Sequence, residues 1–481
     1  MAAETTVVVT TLGAYRFTNV GAALLGVTLT AHRNLRDSGA MRLESGPVPL
    51  LRYSLAGGED TMSLAGIVFQ PSRSGTTSVP VLTYRGQAAG RDVELRYTFA
   101  PDSYLVRVAA TVRGVAAPYI ALELPSQLRS FEADTVEDVN QLAYVFKPQR
   151  EGAQSIGFGK LDPGEKRVIP GPITWAAAKT KYFIVGVLSP TLGVPFSELD
   201  IAGAPRTTKV VSEGRATLLI PITSGQASFE LYAGPQEWRR LLAVGRGFED
   251  ANPYGGWFSG MVKPFATMVM RVLLWMREAT GLSYGWVLVI FGLVIRIAMW
   301  PLQQKSMRVS IQMQRIQPEL QVIQAKYKSD PQKLQAEMMK VYAAHGMSPL
   351  STFAGCLPML LPMPILFALF FVFQNTIEFR GVPFLWLPDI SIKDPYYIVP
   401  LLMGVSMFAL SWIGLRGAPP NPQAKMMAYI FPPMMTFLFL NFASGLNLYY
   451  FVQNIAALPQ QWLLVRERQN AAPPTPPARA P

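Results

Sequence analysis

The chain has one cysteine, Cys356, and two histidines, His32 and His345. A single thiol excludes an intrachain disulfide, so any domain outside the cytoplasm must be held by its core alone. The histidines lie in unrelated segments, and no Cys or His cluster offers metal-ligand spacing, which argues against a zinc site. No nucleotide-binding motif is present, so no ATP hydrolysis, cofactor or metal is expected. Acidic residues are also scarce, 31 Asp and Glu against 43 Lys and Arg, for a formal charge of +12. In an apolar chain such an excess first reports membrane topology through the positive-inside bias, and no direct nucleic-acid role is expected.

Apolar residues are abundant: 50% of 481 residues are hydrophobic, and mean hydropathy is +0.22. That is too apolar for a purely soluble protein, and the excess is unevenly placed. Residues 1–247 alternate short apolar and polar residues. Val93, Leu95, Tyr97 and Phe99 alternate with Glu94, Arg96 and Thr98, the period-two pattern of a strand with one buried face. Similar runs at 27–31, 104–112, 120–124, 182–188 and 227–233, with Gly and Pro between them, predict an all-β antiparallel sandwich. Glu132, Asp134, Glu137 and Asp138 lack the ordered spacing of a calcium loop and are expected in a solvated loop.

From about residue 250 the spacing changes. Phe258, Met261, Phe265, Met268, Val272, Trp275 and Met276 recur every three or four residues, with Lys263, Arg271, Arg277 and Glu278 at other positions. This predicts an amphipathic helix lying on the outer membrane surface or packed on the β domain. Residues 248–280 are therefore expected to be linker and surface helix. A first span follows at Leu282–Leu302, whose length of roughly 20 residues matches the ~30 Å hydrocarbon core. Arg296 is its only formal charge. An Arg deep in such a helix costs about 2.5–3.5 kcal/mol on insertion scales, so it faces protein or water, or it snorkels to the interface. The residues alone leave both readings open.

Residues 304–345 are polar and helix-favouring, broken at Ser329, Asp330 and Pro331. Val309, Met313, Ile316, Leu320 and Ile323 on one arm, and Leu334, Met338, Val341 and Tyr342 on the other, form narrow apolar seams at helical spacing, with Pro318 placed to kink the first arm. Lys305, Arg308, Arg315, Lys326, Lys328, Lys333 and Lys340 make this expected helical hairpin basic and hence cytoplasmic. Further spans are expected at 350–377, 396–415, 426–441 and 446–465, with a disordered Ala/Pro-rich cytoplasmic tail at 466–481. The second carries Pro358, Pro362, Pro364 and Cys356, the last as inert filler. Charge along the loops puts the β domain outside and the C-terminus inside. The expected fold class is a multi-pass α-helical membrane protein of five spans with an N-terminal all-β sandwich.

The basic hairpin, the lone Arg296 within Val294-Ile295-Arg296, the following Met299-Trp300-Pro301-Leu302, the Cys356-Leu357-Pro358 and Pro364 of the second span, Asp394-Pro395-Tyr396-Tyr397, and Ser444-Gly445-Leu446-Asn447-Leu448-Tyr449-Tyr450 occur in a set order. In order, spacing and topology they resemble the YidC family of bacterial membrane protein insertases, part of the Oxa-type superfamily, over residues 250–465. The β domain resembles the periplasmic domain of the Gram-negative members. The resemblance implies a non-enzymatic insertase and chaperone of the inner membrane, residues 281–465 forming its membrane domain. In such proteins five spans enclose a hydrophilic groove, open to the cytoplasm and containing the Arg. It also implies nascent membrane proteins and the bilayer as partners, with the Sec translocon and ribosome at the hairpin.

Helical spacing adds Asn447, Tyr450 and Asn454 on one face of the last span as groove residues, and Gln374 with Asn375 near the outer end of the second. Two departures stand out. Relatives usually begin with an N-terminal anchor, whereas this sequence opens Met1-Ala2-Ala3-Glu4 and continues into strand-like Thr5–Thr11; and the hydroxyl residue common one turn before the Arg is here Gly292. A secondary transporter would show repeats and several ionisable groups at mid-membrane, and a membrane-embedded enzyme a nucleophile with its base. Neither pattern is present in the sequence.

Overall fold

The computed structural model describes residues 2–57, 60–114, 118–206, 211–252, 259–345, 363–416 and 422–470. It divides into two compact units, Met1–Pro253 with Asn375–Glu378, and Tyr254–Gln374 with Phe379–Pro481.

The first unit is the β-sandwich. Its strand Arg91–Phe99 buries Val93, Leu95, Tyr97 and Phe99, and it lies antiparallel between Pro80–Ala88 and Leu105–Arg113. Leu105–Arg113 in turn pairs with Gln226–Pro235. Alternation thus fixes the register, because a slip of one residue would turn four apolar side chains outward. Strands at Thr5–Val9, Gly13–Thr18, Leu24–Arg33 and Ala40–Glu44 form a separate four-stranded sheet. Tyr15 and Phe17 of that sheet meet Phe99 and Tyr97 of the large one, with ring centroids 5.1 and 4.7 Å apart. Edge and tilted contacts of this kind add about 0.5–1.5 kcal/mol each beyond their buried area. The Tyr97 hydroxyl, buried among them, donates to the Ala22 carbonyl at 2.9 Å.

The end of this unit extends further than its alternating pattern. Helix α1 spans Thr135–Asn140 and α2 spans Trp238–Val244. After α2, Phe248 is buried against Trp175 and Tyr232, at 5.2 and 5.4 Å. Arg246 forms a 2.6 Å ion pair with Glu230, and Lys179 Nζ donates to Asn252 Oδ1 at 2.8 Å. Residues 248–252, expected as linker, are therefore fastened into the sandwich. The acidic cluster also differs from the expected solvated loop. Asp134 caps α1 by accepting from the Glu137 N–H, Asp138 accepts the Lys181 N–H at 3.0 Å, and Glu132 and Asp138 are buried. The turn after the distant strand Lys166–Lys179 supplies the partner of Asp138, which local composition does not reveal.

The second unit is helical: α3 (Ser259–Thr280), α4 (Tyr284–Lys326), α5 (Pro331–Ala344), α6 (Met363–Asn375), α7 (Ile398–Leu415), α8 (Pro422–Phe439) and α9 (Ser444–Asn470). Gly281 ends α3 in the left-handed region, φ +69°, where glycine has no Cβ penalty. Helix α4 runs without a break from the first span into the basic arm, through Pro318. Asp330 caps α5 by accepting from the Lys333 N–H, and Pro331 occupies its first turn. The two arms meet through Ile316, Leu320, Val341 and Tyr342, with Ile323 and Met338 against them. Two of the described helical segments, Tyr284–Lys305 and Ile398–Leu415, are long and apolar enough to cross a membrane. The first half of the expected second span, with Cys356, Pro358 and Pro362, lies outside the described residues, as do residues 471–481. Residues 466–470, expected in the tail, continue α9 as helix.

Burial pushes the Lys179 ammonium down to about 8, against a smaller opposing effect of Asp138. The native state therefore favours neutral Lys179, and its disadvantage is full below pH 8 and relieved as pH rises toward the ordinary lysine range. We expect wild-type stability to gain on that of Lys179→Met between pH 8 and 10, read as the difference in thermal midpoints; a constant difference would contradict this assignment.

Candidate functional site

The polar groups of the helical unit converge on α9. Its N-terminus is fixed first: Ser444 and Gly445 N–H groups donate to the carbonyls of Ile392 and Ile390 at 2.7 and 2.9 Å. These bonds satisfy N–H groups that a helix start leaves unpaired, and they tie α9 to the connector before α7. A Cβ at Gly445 would overlap the Phe373 ring, so α6 approaches closely here. Asp394 is buried and accepts from Tyr396 N–H at 3.0 Å and Val399 N–H at 2.8 Å, anchoring the start of α7.

From that anchored end, α9 carries amides toward two neighbours. Toward α4, Gln453 Nε2 donates to the Gly292 carbonyl at 2.7 Å, and Arg296 Nη2 donates to Gln460 Oε1 at 2.6 Å. Gln460 is buried, and its Nε2 donates to the Trp300 carbonyl at 3.3 Å. Toward α7, Asn454 Nδ2 donates to Ser406 Oγ at 3.1 Å and to the Met403 carbonyl at 3.3 Å. Gly292 lets the first pair approach, since a Cβ there would stand 3.1 Å from Val452 Cγ1. One turn before the Arg, at Gly292, the polar contact runs through the backbone carbonyl.

Arg296 is half-buried. Among the described residues its Nε has no hydrogen-bond partner, while Nη2 is held by Gln460. A guanidinium carries five N–H donors and the Gln460 bond uses one, so a carboxylate or polar backbone group that reaches the Nη donors can form a charge-assisted hydrogen bond, whereas the enclosed Nε is closed to it.

The other expected site residues fall in different places. Asn447 is fully buried at the first turn of α9, where its Nδ2 donates to the Phe439 carbonyl at 3.0 Å. Tyr450 is half-buried, its ring 5.6 Å from Phe439 and 5.3 Å from Tyr449. Gln374 and Asn375 are half-buried at the last turn of α6. Lys305, Arg308, Lys326, Lys328, Lys333 and Lys340 are exposed, Arg308 lying 3.3 Å from Glu467 of α9; the Arg315 side chain lies outside the described residues. Gln453, Gln460 and Ser406 were missed. The spacing of Tyr449, Gln453 and Gln460, four and then seven residues apart, places them on one helical stripe and could have found them. No group of three or more His, Cys, Asp or Glu able to hold a metal occurs among the described residues.

Comparison with known proteins places this helical unit and the sandwich in one lineage. The model of the YidC periplasmic domain matches residues 5–268, and that of the 60Kd inner membrane protein matches residues 275–471. The chain belongs to the YidC family. The membrane protein insertase YidC of Anaeromyxobacter dehalogenans (strain 2CP-C) is 35% identical over 339 residues, covering 70% of this chain and 59% of that protein. The YidC of Anaeromyxobacter sp. (strain Fw109-5) is 31% identical over 420 residues, covering 85% of this chain and 71% of its own length. The chain thus spans about three fifths of the length of the first of these YidC proteins. A crystal structure described as an active YidC insertase with its first transmembrane domain resolved is similar at 17% identity and a TM-score of 0.37, over 96% of this chain and 93% of that one.

Replacing Gln460 by Leu removes the acceptor of a half-buried cation and leaves the guanidinium less satisfied. Such a loss costs about 1–3 kcal/mol. Denaturant unfolding of Gln460→Leu in detergent should show that deficit relative to wild type, and equal stability would mean the Arg296–Gln460 bond contributes nothing.

Proposed function

We propose that this chain inserts integral membrane proteins into the bacterial inner membrane and helps them fold, with Arg296 in a hydrophilic groove open to the cytoplasm. In this reading the membrane domain has five spans, the three shorter or more polar helices α6, α8 and α9 completing those at Tyr284–Lys305 and Ile398–Leu415. Family membership supports it, and so do the charges at helix ends. Arg416 stacks on Trp412 at 3.8 Å and Arg466 on Trp462 at 3.5 Å, each at an end assigned to the cytoplasmic interface. Tryptophan and cation together hold a helix end at headgroup depth.

The observation that carries the reading is the half-buried Arg296, held at Nη2 by Gln460 through one of the five N–H donors of its guanidinium. A substrate's short polar or acidic segment must cross hydrocarbon, where each unsatisfied polar group costs several kcal/mol. A polar seam partway into the membrane shortens that dry path. Arg296 adds a positive potential that low local dielectric strengthens, and it attracts acidic residues transiently. Substrate helices then leave sideways along apolar helices by partition into lipid. Asn454, Tyr450, Asn447, Gln374 and Asn375 remain groove candidates; of these Asn454 sits closest in character to the seam, donating between α9 and α7. The exposed lysines of α4 and α5 suit recruitment of substrate with the ribosome or Sec translocon, and α3 is assigned to the outer membrane surface.

Reconstitution tests this. Insertion into proteoliposomes of a small membrane protein with an acidic translocated segment should fall roughly tenfold in Arg296→Ala, equivalent to about 1.4 kcal/mol, and persist in Arg296→Lys. Equal insertion by all three proteins would remove the electrostatic step, and equal insertion by empty liposomes would remove the function.

A further inference from the structure

The acceptor that meets Arg296 carries no charge, and the sequence around it keeps to the same choice. No Asp or Glu occurs in residues 279–318, 338–377 or 395–466, so α6, α7, α8, α9 as far as Arg466, and α4 before Glu319 hold no carboxylate. The first carboxylate of α9, Glu467, pairs with Arg308, which lies about 18 Å along the axis of α4 from Arg296. Gln460 itself makes two bonds: Oε1 accepts from Arg296 at 2.6 Å, and Nε2 donates to the Trp300 carbonyl at 3.3 Å. A carboxylate could make the first of these but has no donor for the second. It would also set a negative charge against the guanidinium, and opposite charges that close cancel most of the potential either projects.

We propose that Gln460 sets the charge preference of insertion: it holds the Arg296 guanidinium in place through a neutral acceptor, so that the positive charge stays available to select acidic translocated segments over neutral and basic ones. The proposal rests on the groove reading of Arg296. Gln460 acts through Arg296 and is therefore a positioning residue. Its neutrality, and not only its hydrogen bond, is what matters. A brace alone would affect every substrate alike, whereas a neutral brace affects the difference between substrates, which is where specificity lies. An acidic segment is attracted by the uncompensated cation and a basic one repelled, and both effects vanish together once a fixed anion sits at position 460.

The test uses the full chain in proteoliposomes without an imposed membrane potential. The substrate is one small single-span protein whose short translocated segment carries a pair of Asp, Asn or Lys residues. Insertion of the Asp and Lys versions is read as a ratio to the Asn version in the same preparation, which cancels any loss of folded insertase. Each ratio is then divided by its value in Arg296→Ala, which removes the intrinsic cost of translocating that segment. The parent protein should favour Asp roughly tenfold on this scale and disfavour Lys. Gln460→Glu should bring both ratios to about one, lowering Asp and raising Lys, and a gain for Lys is a change that a damaged fold does not produce. Gln460→Leu removes the acceptor without adding a charge and should keep the order of the parent. Parent ratios that survive Gln460→Glu would overturn the role of Gln460, as would their loss in Gln460→Leu. Ratios of one in the parent itself would instead sink the electrostatic reading of Arg296, and the proposal with it.

Discussion

A cation partway along an apolar helix must be met by polar groups, and the Arg296–Gln460 hydrogen bond supplies one of them. Gln460 is buried and uses its own amide on the Trp300 carbonyl, so one side chain braces the guanidinium against its own helix. The bond requires α4 and α9 to lie close, which Gly292 permits and the Gln453 contact to its carbonyl reinforces. Closeness in turn requires α9 to start in a fixed place, and the bonds of Ser444 and Gly445 to the connector supply it. The arrangement is a chain of dependent contacts from the turn before α9 to the Arg.

Apolar period was the readable part of the sequence. Alternation from Val93 to Phe99 marks a strand that is half buried, and the steps through Ile316, Leu320, Val341 and Tyr342 mark the faces on which α4 and α5 meet. Both work because a period of two or of 3.6 maps directly onto one face. Polar residues in apolar helices were harder. Asn447 and Asn454 share a face by spacing, yet one closes the carbonyl of Phe439 and the other bridges to Ser406. An amide's partner depends on which neighbour passes at that level, and nothing local in the sequence encodes it. Gln453 and Gln460 share a stripe by spacing, but their partners on α4 are set by the packing of the helices.

The junction between the units illustrates a second limit. Composition changes near residue 250, but Phe248 and Asn252 are held by Trp175, Tyr232 and Lys179 of the sandwich. Buried Asp138 likewise takes its partner from the turn at Lys181. Both are long-range contacts in which a charged or aromatic residue is used for closure, and charge alone suggested a loop. The single cysteine agrees with this economy: the described strands are closed by aromatic packing and buried hydrogen bonds.

The central claim is that position 296 faces water within the membrane domain. Arg296→Cys in a Cys356→Ser background, labelled in inverted membrane vesicles with a membrane-impermeant maleimide, tests it most directly. The account predicts labelling from the cytoplasmic face, blocked when a substrate chain is arrested during insertion. Labelling only by lipid-soluble reagents, with none from the aqueous side, would contradict it.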